Sequence, residues 1–275
     1  MSRLSVRQRL KLLIPQYWDE HSELRYLKRV PGLGGWLFVV DTRMGSDFVR
    51  VLASYGAGER VTQQSAMSLT RPERLIYHYE RLMALAFAFA SQARSALLIG
   101  LGGGAMLRYV ASAFPKCQAT VVERETAVIG IAQQFFRVEQ DIIEADARAF
   151  VARSRKRFDI VMVDIYDANG FSQPGSGFWK KAVKRLAPGG VMAVNWADFV
   201  GHDIARTQSA ELAGLVRYSL FVTPSGMRDN LVQYASLRRL PEPEELAEGL
   251  PTGGSRMQRP RSTLGRCIIA QTWPE

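Results

Sequence analysis

Carboxylate side chains recur where predicted β-strands end, and they are the residues of this chain best suited to chemistry. Glu123 closes the run ATVVE, Asp146 follows DIIEA, and Asp164 and Asp167 belong to the sequence DIYD after FDIVMV. A carboxylate can accept hydrogen bonds from ribose hydroxyls or from an exocyclic amino group, and a carboxylate pair can bind a cationic amine and accept its proton. Each acid taken singly could equally cap a helix or face solvent, Asp146 above all.

A glycine-rich loop, IGLGGGAMLR, leaves an apolar run and opens a predicted helix just before these acids. Its glycines allow a backbone to approach a ligand closely, and a helix N-terminus attracts negative charge. They are Gly100, Gly102, Gly103 and Gly104. The spacing fits both the GxGxxG/A pattern of dinucleotide-binding folds and a GxGxG loop of S-adenosylmethionine-type folds. Glu123 suits either class, whereas Asp146 as an acceptor for adenine N6 favours the sulfonium nucleoside.

The elements that must position these residues alternate in type along the chain. From residue 96 onward, continuous apolar runs are separated by predicted helices at 105–114, 126–136, 147–155 and 176–187. Strand–helix alternation with apolar strands is typical of a doubly wound, mostly parallel Rossmann-like α/β sheet, in which ligands bind at the carboxyl ends of the strands. Further strands are predicted near 217–222 and 230–236 and in the run RCIIAQT.

Upstream of the sheet, the runs WLFVVD, DFVRVLAS and ERVTQQSAM predict a small antiparallel β unit between residues 36 and 67. Apolar spacing predicts an amphipathic helix over 72–90. We therefore expect two domains: an N-terminal extension with the small β domain (1–70) and a Rossmann-like nucleotide-binding catalytic domain (71–275). A short helix in RQRLKLLIPQYW and a surface linker at 241–254 complete the predictions.

Composition restricts the class of protein. With 275 residues, 47% hydrophobic and 10% aromatic, the chain is expected to be globular rather than disordered. Two separated cysteines and the lack of a secretory pattern favour the cytoplasm, the window LMALAFAFA is too short for a membrane span, and no metal site is predicted. The net charge of +10 invites a nucleic-acid hypothesis, but no nucleic-acid motif accompanies it. A solvated basic surface is favoured and no specific nucleic acid is expected, although weak attraction to nucleic acid or acidic membranes remains open.

Taken together, these motifs resemble the spermidine synthase (polyamine aminopropyltransferase) family, whose fold is related to that of S-adenosylmethionine-dependent methyltransferases. The similarity covers roughly residues 36–236. GLGGGAMLR is similar to the family's GGGDGG loop with its leucine–arginine pair, VVERE to its ribose-binding strand end, and DIYDA to its DxxD motif. IYHYERLM and VTQQSAM resemble the family's YHE segment and the end of its N-terminal β unit.

The resemblance implies a fold and a set of ligand roles. The fold would be methyltransferase-like, and the protein a transferase with no tightly bound cofactor and with a homodimeric state. The glycine loop would cradle decarboxylated S-adenosylmethionine as co-substrate, with Glu123 on the ribose and Asp146 on the adenine amine. The products would be a longer polyamine and methylthioadenosine.

The resemblance also implies how the amine is handled. Asp164 would deprotonate the attacking amine of a polyamine such as putrescine, and Asp167 would anchor that substrate. The amine pocket would be lined by Gln64, Tyr77 and His78, and Tyr79 could take the place of Tyr77 because the alignment there has one residue of slack. Judged without the resemblance, His78 is more typical of a helix surface or a core.

Three departures from the family pattern leave alternatives open. Gly103 stands where the family has the aspartate that meets the donor's ammonium, Ser46 stands near the place of an upstream glutamine, and Ala168 replaces an expected proline. Since that aspartate would repel a donor carrying a carboxylate, Gly103 removes a means of discrimination. The alternatives are a methyltransferase using intact S-adenosylmethionine on a small molecule, a non-catalytic nucleotide-binding homologue and, with least support, a nicotinamide-dependent oxidoreductase.

Overall fold

The protein was analysed as a computed structural model that describes residues 25–56, 61–167, 170–171, 174, 177–197, 203–224, 230–240 and 267–270. The short helix predicted in RQRLKLLIPQYW and the linker predicted at 241–254 lie outside these residues. Within them, no helix has both the length and the apolar character needed to cross a membrane.

An antiparallel sheet near the amino terminus pairs each of its four strands with the next along the chain. The strands are β1 (Arg25–Gly32), β2 (Gly35–Met44), β3 (Asp47–Gly56) and β4 (Val61–Ser68). Gly45, in the turn between β2 and β3, has φ +59°, the left-handed conformation that tight hairpin turns need. The predicted β unit is confirmed, and β1 adds a strand within the segment that the sequence assigned largely to a basic extension.

The rest of the described chain alternates between strands and helices, as predicted. The strands are β5 (Ser95–Ile99), β6 (Gln118–Glu123), β7 (Ile143–Glu144), β8 (Phe158–Val163), β9 (Tyr166–Asp167), β10 (Gly170–Phe171), β11 (Leu186–Ala197), β12 (Tyr218–Pro224), β13 (Asn230–Ser236) and β14 (Cys267–Ala270). The helices are α1 (His78–Ala84), α2 (Ala86–Phe89), α3 (Ala105–Ala113), α4 (Thr126–Phe135), α5 (Ala147–Arg153), α6 (Phe178–Val183) and α7 (Asp203–Leu215).

An eight-stranded sheet with the order β14-β12-β13-β11-β8-β5-β6-β7 forms the centre of this region. Strands β11, β8, β5, β6 and β7 are parallel, whereas β13 is antiparallel to β11 and β12. The strand order reverses on either side of β5, so the carboxyl ends of β5, β6 and β8 meet where a ligand is expected. The methyltransferase-like, doubly wound fold is therefore confirmed.

The central strands are apolar on both faces because helices cover both faces. In β5, Ala96 and Leu98 belong to one core and Leu97 and Ile99 to the other. Buried side chains of α1, α3 and α4 complete the first core, and those of α5, α6 and α7 complete the second. This arrangement explains the continuous apolar runs in the sequence.

The N-terminal sheet packs on the first of these cores through one face. Leu37 and Leu52 share the core with Leu98. Two hydrogen bonds fix the contact: Arg50 Nη1 donates to the Phe135 carbonyl at 2.8 Å, and the exposed Leu33 N–H donates to a Glu125 carboxylate oxygen at 2.8 Å. This docking brings β4 beside the loop that follows β5. The domain division at residue 70 stays a prediction.

Several element boundaries differ from the predictions. The predicted helix over 72–90 begins only at His78 and is divided between α1 and α2. The strand predicted over DIIEAD is reduced to two residues, with Ile143 exposed. The helix predicted to reach residue 187 ends at Val183, because Leu186 already pairs with Phe158 in the sheet.

Candidate active site

The glycine loop after β5 has a backbone geometry that residues with a side chain rarely adopt. Gly100 has φ +99°, and a Cβ there would lie 2.0 Å from the carbonyl oxygen of Asp164. Gly104, which begins α3, has φ +73°, and a Cβ there would lie 2.4 Å from Val138 Cγ2. Gly102 also lies in the left-handed region, with φ +51°. The loop therefore touches the end of β8 on one side and stays free of side chains where a ligand would approach.

Glu123 lies at the end of β6, directly beside this loop. Its Oε2 accepts a hydrogen bond from the Leu101 N–H at 3.0 Å, and its Oε1 accepts from Arg124 N–H at 2.7 Å and Glu125 N–H at 3.0 Å. A carboxylate offers about four acceptor positions, so these bonds orient the group and leave capacity for another donor. The structure thus places Glu123 at the loop, and its contact with a ribose stays a prediction.

Asp146 caps α5, the interpretation that the sequence had left open. Its Oδ1 accepts from the Ala149 N–H at 3.1 Å, and Arg148 Nε lies 3.6 Å from the same oxygen. The side chain is exposed, and it follows the strand that neighbours β6. Capping uses Oδ1, which leaves the second oxygen available. Contact with an adenine amine stays a prediction.

Asp164 follows β8, and its surroundings raise the pKa of its carboxyl. Its backbone N–H donates to the Ile99 carbonyl at 2.9 Å, which joins it to the start of the glycine loop. Desolvation is the largest effect and raises the pKa of its carboxyl, hydrogen bonds from Asn195 and Tyr79 lower it, and nearby Glu123 raises it; the resulting pKa is about 6. At pH 7 the group is mostly ionised, yet it is a stronger base than an ordinary aspartate.

A chain of amides that the sequence gave no reason to single out holds this carboxylate. Asn195, buried on β11, donates from Nδ2 to Asp164 Oδ1 at 2.9 Å. Its Oδ1 accepts from Asn230 Nδ2 at 2.9 Å, and its backbone carbonyl accepts from the Tyr166 hydroxyl at 2.7 Å. These partners fix the orientation of the Asn195 amide, so that its N–H faces the acid.

The tyrosines around α1 occupy two different places. Tyr79 is partly buried and its hydroxyl donates to Asp164; desolvation first and Asp164 second raise the pKa of Tyr79 well above its usual value. Tyr77 stacks on Tyr79 with ring centroids 6.0 Å apart, and its hydroxyl donates to Gln63 Oε1 at 2.7 Å. The residue that contacts the acid is therefore Tyr79, the alternative that the alignment allowed.

The other predicted amine-pocket residues surround this pair less directly. The Gln64 carbonyl oxygen lies 3.6 Å from the place of a Cβ at Gly102, and Gln64 itself falls at a register shift between β3 and β4. His78 is exposed at the start of α1, and desolvation and Arg81 lower the pKa of its imidazole. Asp167 lies in the β9–β10 hairpin, where its backbone pairs with Gly170. Their roles in amine binding stay predictions.

Two charged residues near the site are buried, Glu80 on α1 and Arg108 on α3. Glu80 is 2% exposed and accepts hydrogen bonds from the N–H groups of Ile76 and Tyr77, both at 3.0 Å. Desolvation raises the pKa of Glu80 to about 8 despite these bonds and the nearby Arg108, which lower it. Arg108 donates to three backbone carbonyls, those of Pro72, Gly103 and Phe136. It ties the glycine loop to neighbouring segments, a function that the leucine–arginine pair in the sequence could have suggested.

The loop position without the family aspartate is enclosed. A Cβ at Gly103 would lie 2.9 Å from Phe136 Cδ1, 2.9 Å from Ser65 Oγ and 3.0 Å from Ser65 Cβ. Phe136 and Ser65 are both buried. Ser46, near the place of the missing glutamine, is exposed in the turn between β2 and β3. The absence of a side chain at 103 is therefore part of how β4 packs on the loop.

The chain is similar to known proteins in both sequence and fold. It is 30% identical over 142 residues to a polyamine aminopropyltransferase of Chromobacterium violaceum, covering 49% of this chain and 54% of the relative. The chain spans about half the length, or less, of the first curated relatives it matches.

Two solved structures share the fold. A probable spermidine synthase of Corynebacterium glutamicum has a TM-score of 0.66 and 21% identity, over 82% of this chain and 88% of that one. Human methyltransferase-like protein 13, in complex with SAH, has a TM-score of 0.56 and 21% identity, over 73% of this chain and 96% of that one. The model of the spermine/spermidine synthase domain matches residues 75–227, which is more than half of the chain and includes most of the candidate site. The protein belongs to the spermine/spermidine synthase domain family.

Proposed function

We propose that this protein transfers an aminopropyl group from decarboxylated S-adenosylmethionine to a polyamine such as putrescine. The observation that carries the proposal is Asp164, a carboxylate with a raised pKa that Tyr79 and Asn195 hold against the glycine loop. Membership of the family and similarity to polyamine aminopropyltransferases support it. Transferase chemistry of this kind needs alignment of two substrates and one well-placed base, and the site offers both.

The donor side of the site consists of the glycine loop and the acids beside it. Gly100, Gly102, Gly103 and Gly104 would lie against the nucleoside, Glu123 would accept from the ribose hydroxyls, and the free oxygen of Asp146 would accept from the adenine amine. The sulfonium already carries its leaving group. The protein therefore does not activate the donor but positions its carbon for in-line attack.

On the acceptor side, the protein must supply a neutral amine. An aliphatic ammonium has a pKa near that of lysine, about 10, and its protonated form cannot attack. Asp164 would take one proton from the ammonium, and the lone pair of the resulting neutral amine would then form the C–N bond, which gives a secondary ammonium. The C–S bond breaks with its electron pair moving to sulfur, which leaves neutral methylthioadenosine. Asp167 would anchor the acceptor's distal ammonium.

The walls of the acceptor pocket would be formed by Gln64, Tyr77, His78 and Tyr79. Aromatic faces suit the cationic groups of a polyamine. Tyr79 would in addition keep the carboxylate of Asp164 turned toward the attacking nitrogen. By analogy with the family, we also propose a homodimeric state and a cytoplasmic location.

A second candidate function follows from Gly103. Because no carboxylate extends from this position, a donor that keeps its own carboxylate is not repelled there. Methyl transfer from intact S-adenosylmethionine to a small molecule is therefore the alternative, and the likeness in fold to a methyltransferase bound to SAH is compatible with it. The remaining alternative is a non-catalytic nucleotide-binding homologue.

One set of measurements separates aminopropyl transfer, methyl transfer and the non-catalytic homologue. The purified chain is incubated with decarboxylated donor and putrescine, and methylthioadenosine release is followed for the wild type, Asp164→Asn and the control Asp141→Asn, an exposed acid. We expect release by the wild type and by the control, and a loss of at least about 100-fold for Asp164→Asn, in line with the usual contribution of a general base.

Thermal unfolding with each donor completes the test. A donor at 100 times its dissociation constant adds roughly 2.7 kcal/mol of stability. Stabilisation by intact S-adenosylmethionine alone would replace aminopropyl transfer with the methyltransferase alternative. If neither donor shifted the melting temperature, only the non-catalytic homologue would survive.

A further inference from the structure

The edge of the eight-stranded sheet opposite the candidate site is lined with cationic side chains. Strands β5, β6, β8, β11 and β12 begin at this edge, and the antiparallel β13 ends there. Each of these six neighbouring strands has at least one arginine or lysine within three residues of that end. The residues are Arg94, Lys116, Arg155, Lys156, Arg157, Lys184, Arg185, Arg217, Arg238 and Arg239. We call this set the basic edge.

The basic edge is continuous across the sheet. The Phe158 N–H donates to the Arg185 carbonyl at 2.7 Å, which joins the start of β8 to the start of β11. The Arg217 N–H donates to the Ser236 carbonyl at 3.1 Å, which joins β12 to the end of β13. Six strands about 4.8 Å apart place these charges along roughly 24 Å.

Among the residues that the structure describes, a single acid lies within the basic edge. Asp159 is the acid that lies among these residues, and its Oδ2 accepts from Arg94 N–H at 2.9 Å, Ser95 N–H at 3.0 Å and Ser95 Oγ at 2.9 Å. Its charge is therefore directed at the N–H and hydroxyl groups at the start of β5. The acids of the candidate site, such as Glu123 and Asp164, lie at the carboxyl edge instead. Within the described residues, the cations named above thus lie at one edge of the sheet and the acids of the candidate site at the other.

One arginine of the basic edge lacks acceptors for its buried atoms. Arg185 Nε and Nη1 are buried, and within the described part of the chain they make no hydrogen bond. A buried guanidinium N–H without an acceptor is unfavourable, and the planar group is suited to phosphate oxygens. Because these two atoms are buried, they do not themselves face a docked duplex, and the exposed cations of the basic edge carry the proposal.

Apolar anchors are scarce at this edge. Among the large apolar side chains that the described residues expose, Leu237 is the one beside the basic edge. A membrane-associated surface normally adds apolar side chains that enter the acyl boundary. Arginines on a polar rim match instead a rigid row of phosphates, which in a duplex are spaced 3.4 Å apart along each strand.

We propose that the basic edge binds the phosphodiester backbone of a nucleic-acid duplex, DNA or RNA, independently of sequence. A length of about 24 Å corresponds to roughly seven base pairs. Binding there would leave the candidate site free, since the two lie at opposite edges of one sheet. The proposal is independent of the transferase function and extends the weak, non-specific attraction that the charge of +10 allows.

The experiment compares two triple variants that lose the same charge. Arg155→Gln/Arg157→Gln/Lys184→Gln removes exposed cations from the basic edge, and Arg25→Gln/Arg71→Gln/Lys28→Gln removes exposed cations elsewhere. Binding of fluorescein-labelled 20-base-pair DNA and RNA duplexes is measured by anisotropy between 50 and 200 mM salt. Melting temperatures establish that both variants are folded.

The salt dependence gives the decisive readout. Each phosphate neutralised contributes about 0.9 to the slope of log K against log salt. We expect the edge variant to lose about 2 to 3 from the slope and at least tenfold in affinity at 50 mM salt, while the control keeps the wild-type slope. DNA and RNA binding alike support recognition of the backbone, and a preference for one identifies the duplex.

Three outcomes would overturn the proposal. Equal losses in both triple variants would show that net charge alone attracts the duplex. A lack of wild-type binding at 50 µM protein and 50 mM salt would remove the interaction altogether. Tighter binding to phosphatidylserine-containing vesicles than to either duplex, lost in the edge variant, would assign the basic edge to a membrane surface.

Discussion

Gly103 offers a direct test of why this loop lacks the family aspartate. If the glycine is required by packing, Gly103→Ala must destabilise the protein, although no unusual φ stands in the way. The new Cβ would lie 2.9 Å from both Phe136 Cδ1 and Ser65 Oγ. Neither group can move freely, because Phe136 is 0% exposed and Ser65 is 3% exposed.

The expected magnitude follows from these contacts. Adding a methyl group to a packed core costs about 1–3 kcal/mol, and two contacts below 3.0 Å place Gly103→Ala near the middle, about 2 kcal/mol. Ser65→Gly removes one of the two obstructing groups and costs about 0.5–1 kcal/mol by itself. In that background the cost of Gly103→Ala should fall to about 1 kcal/mol, a coupling of about 1 kcal/mol between the two positions.

The coupling is measured by urea unfolding, followed by circular dichroism, of the wild type, the two single variants and the double variant Ser65→Gly/Gly103→Ala. Gly130→Ala is the matched control: Gly130 lies in α4 with nothing within 4 Å of an added Cβ, so this variant should be neutral or more stable by up to about 1 kcal/mol. Equal stability of Gly103→Ala and Gly130→Ala, or strict additivity with Ser65→Gly, would refute the packing argument. A Gly103→Asp variant that folds as stably as the wild type would do so as well.

Two further predictions concern buried polar groups. Asn195→Ala removes a hydrogen bond that lowers the pKa of Asp164, so the acid limb of the kcat/KM profile should move upward from about pH 6 by about one pH unit; a purely structural role would lower kcat/KM equally at every pH. In the unfolded chain Glu80 ionises near 4.5 but in the folded protein only near 8, so stability falls as pH rises through that window. Relative to Glu80→Gln, the wild type should lose about 1.4 kcal/mol per pH unit in urea titrations, and parallel curves would contradict the prediction.

The fold could be predicted because its signals are local. Apolar runs such as IVMV are continuous, since helices cover both faces of β8, and the acids at the strand ends mark the carboxyl edge of the sheet. β1 carried no such signal, because its side chains are exposed or partly buried and its sequence, RYLKRVPG, alternates only weakly. For β7 the prediction was too long: the run DIIEAD predicts a full strand, but only two residues pair with β6.

The candidate site depends on contacts between distant segments, which spacing in one sequence does not reveal. Asn195 meets Asn230 only because β11 and β13 run antiparallel, with Asn195 opposite Val232 and Ala197 opposite Asn230. The reason for Gly103 lies in Ser65, which reaches the loop through the docking of the N-terminal sheet. In both cases the sequence gives the residue types, but it does not give the strand pairing or the docking that brings the residues together.

The basicity of Asp164 results from opposing effects, of which desolvation is the largest. Desolvation raises its pKa, whereas donors on β11 and α1 lower it, and the balance lies near 6. Without the donors from Asn195 and Tyr79 the pKa would lie higher, so less of the acid would be ionised at pH 7 to accept a proton from an amine. Without the burial, an ordinary aspartate would be a weaker base by about 1.4 kcal/mol per pKa unit. The hydrogen-bond donors are therefore as necessary as the burial, because only together do they give a carboxylate that is ionised and still basic at neutral pH.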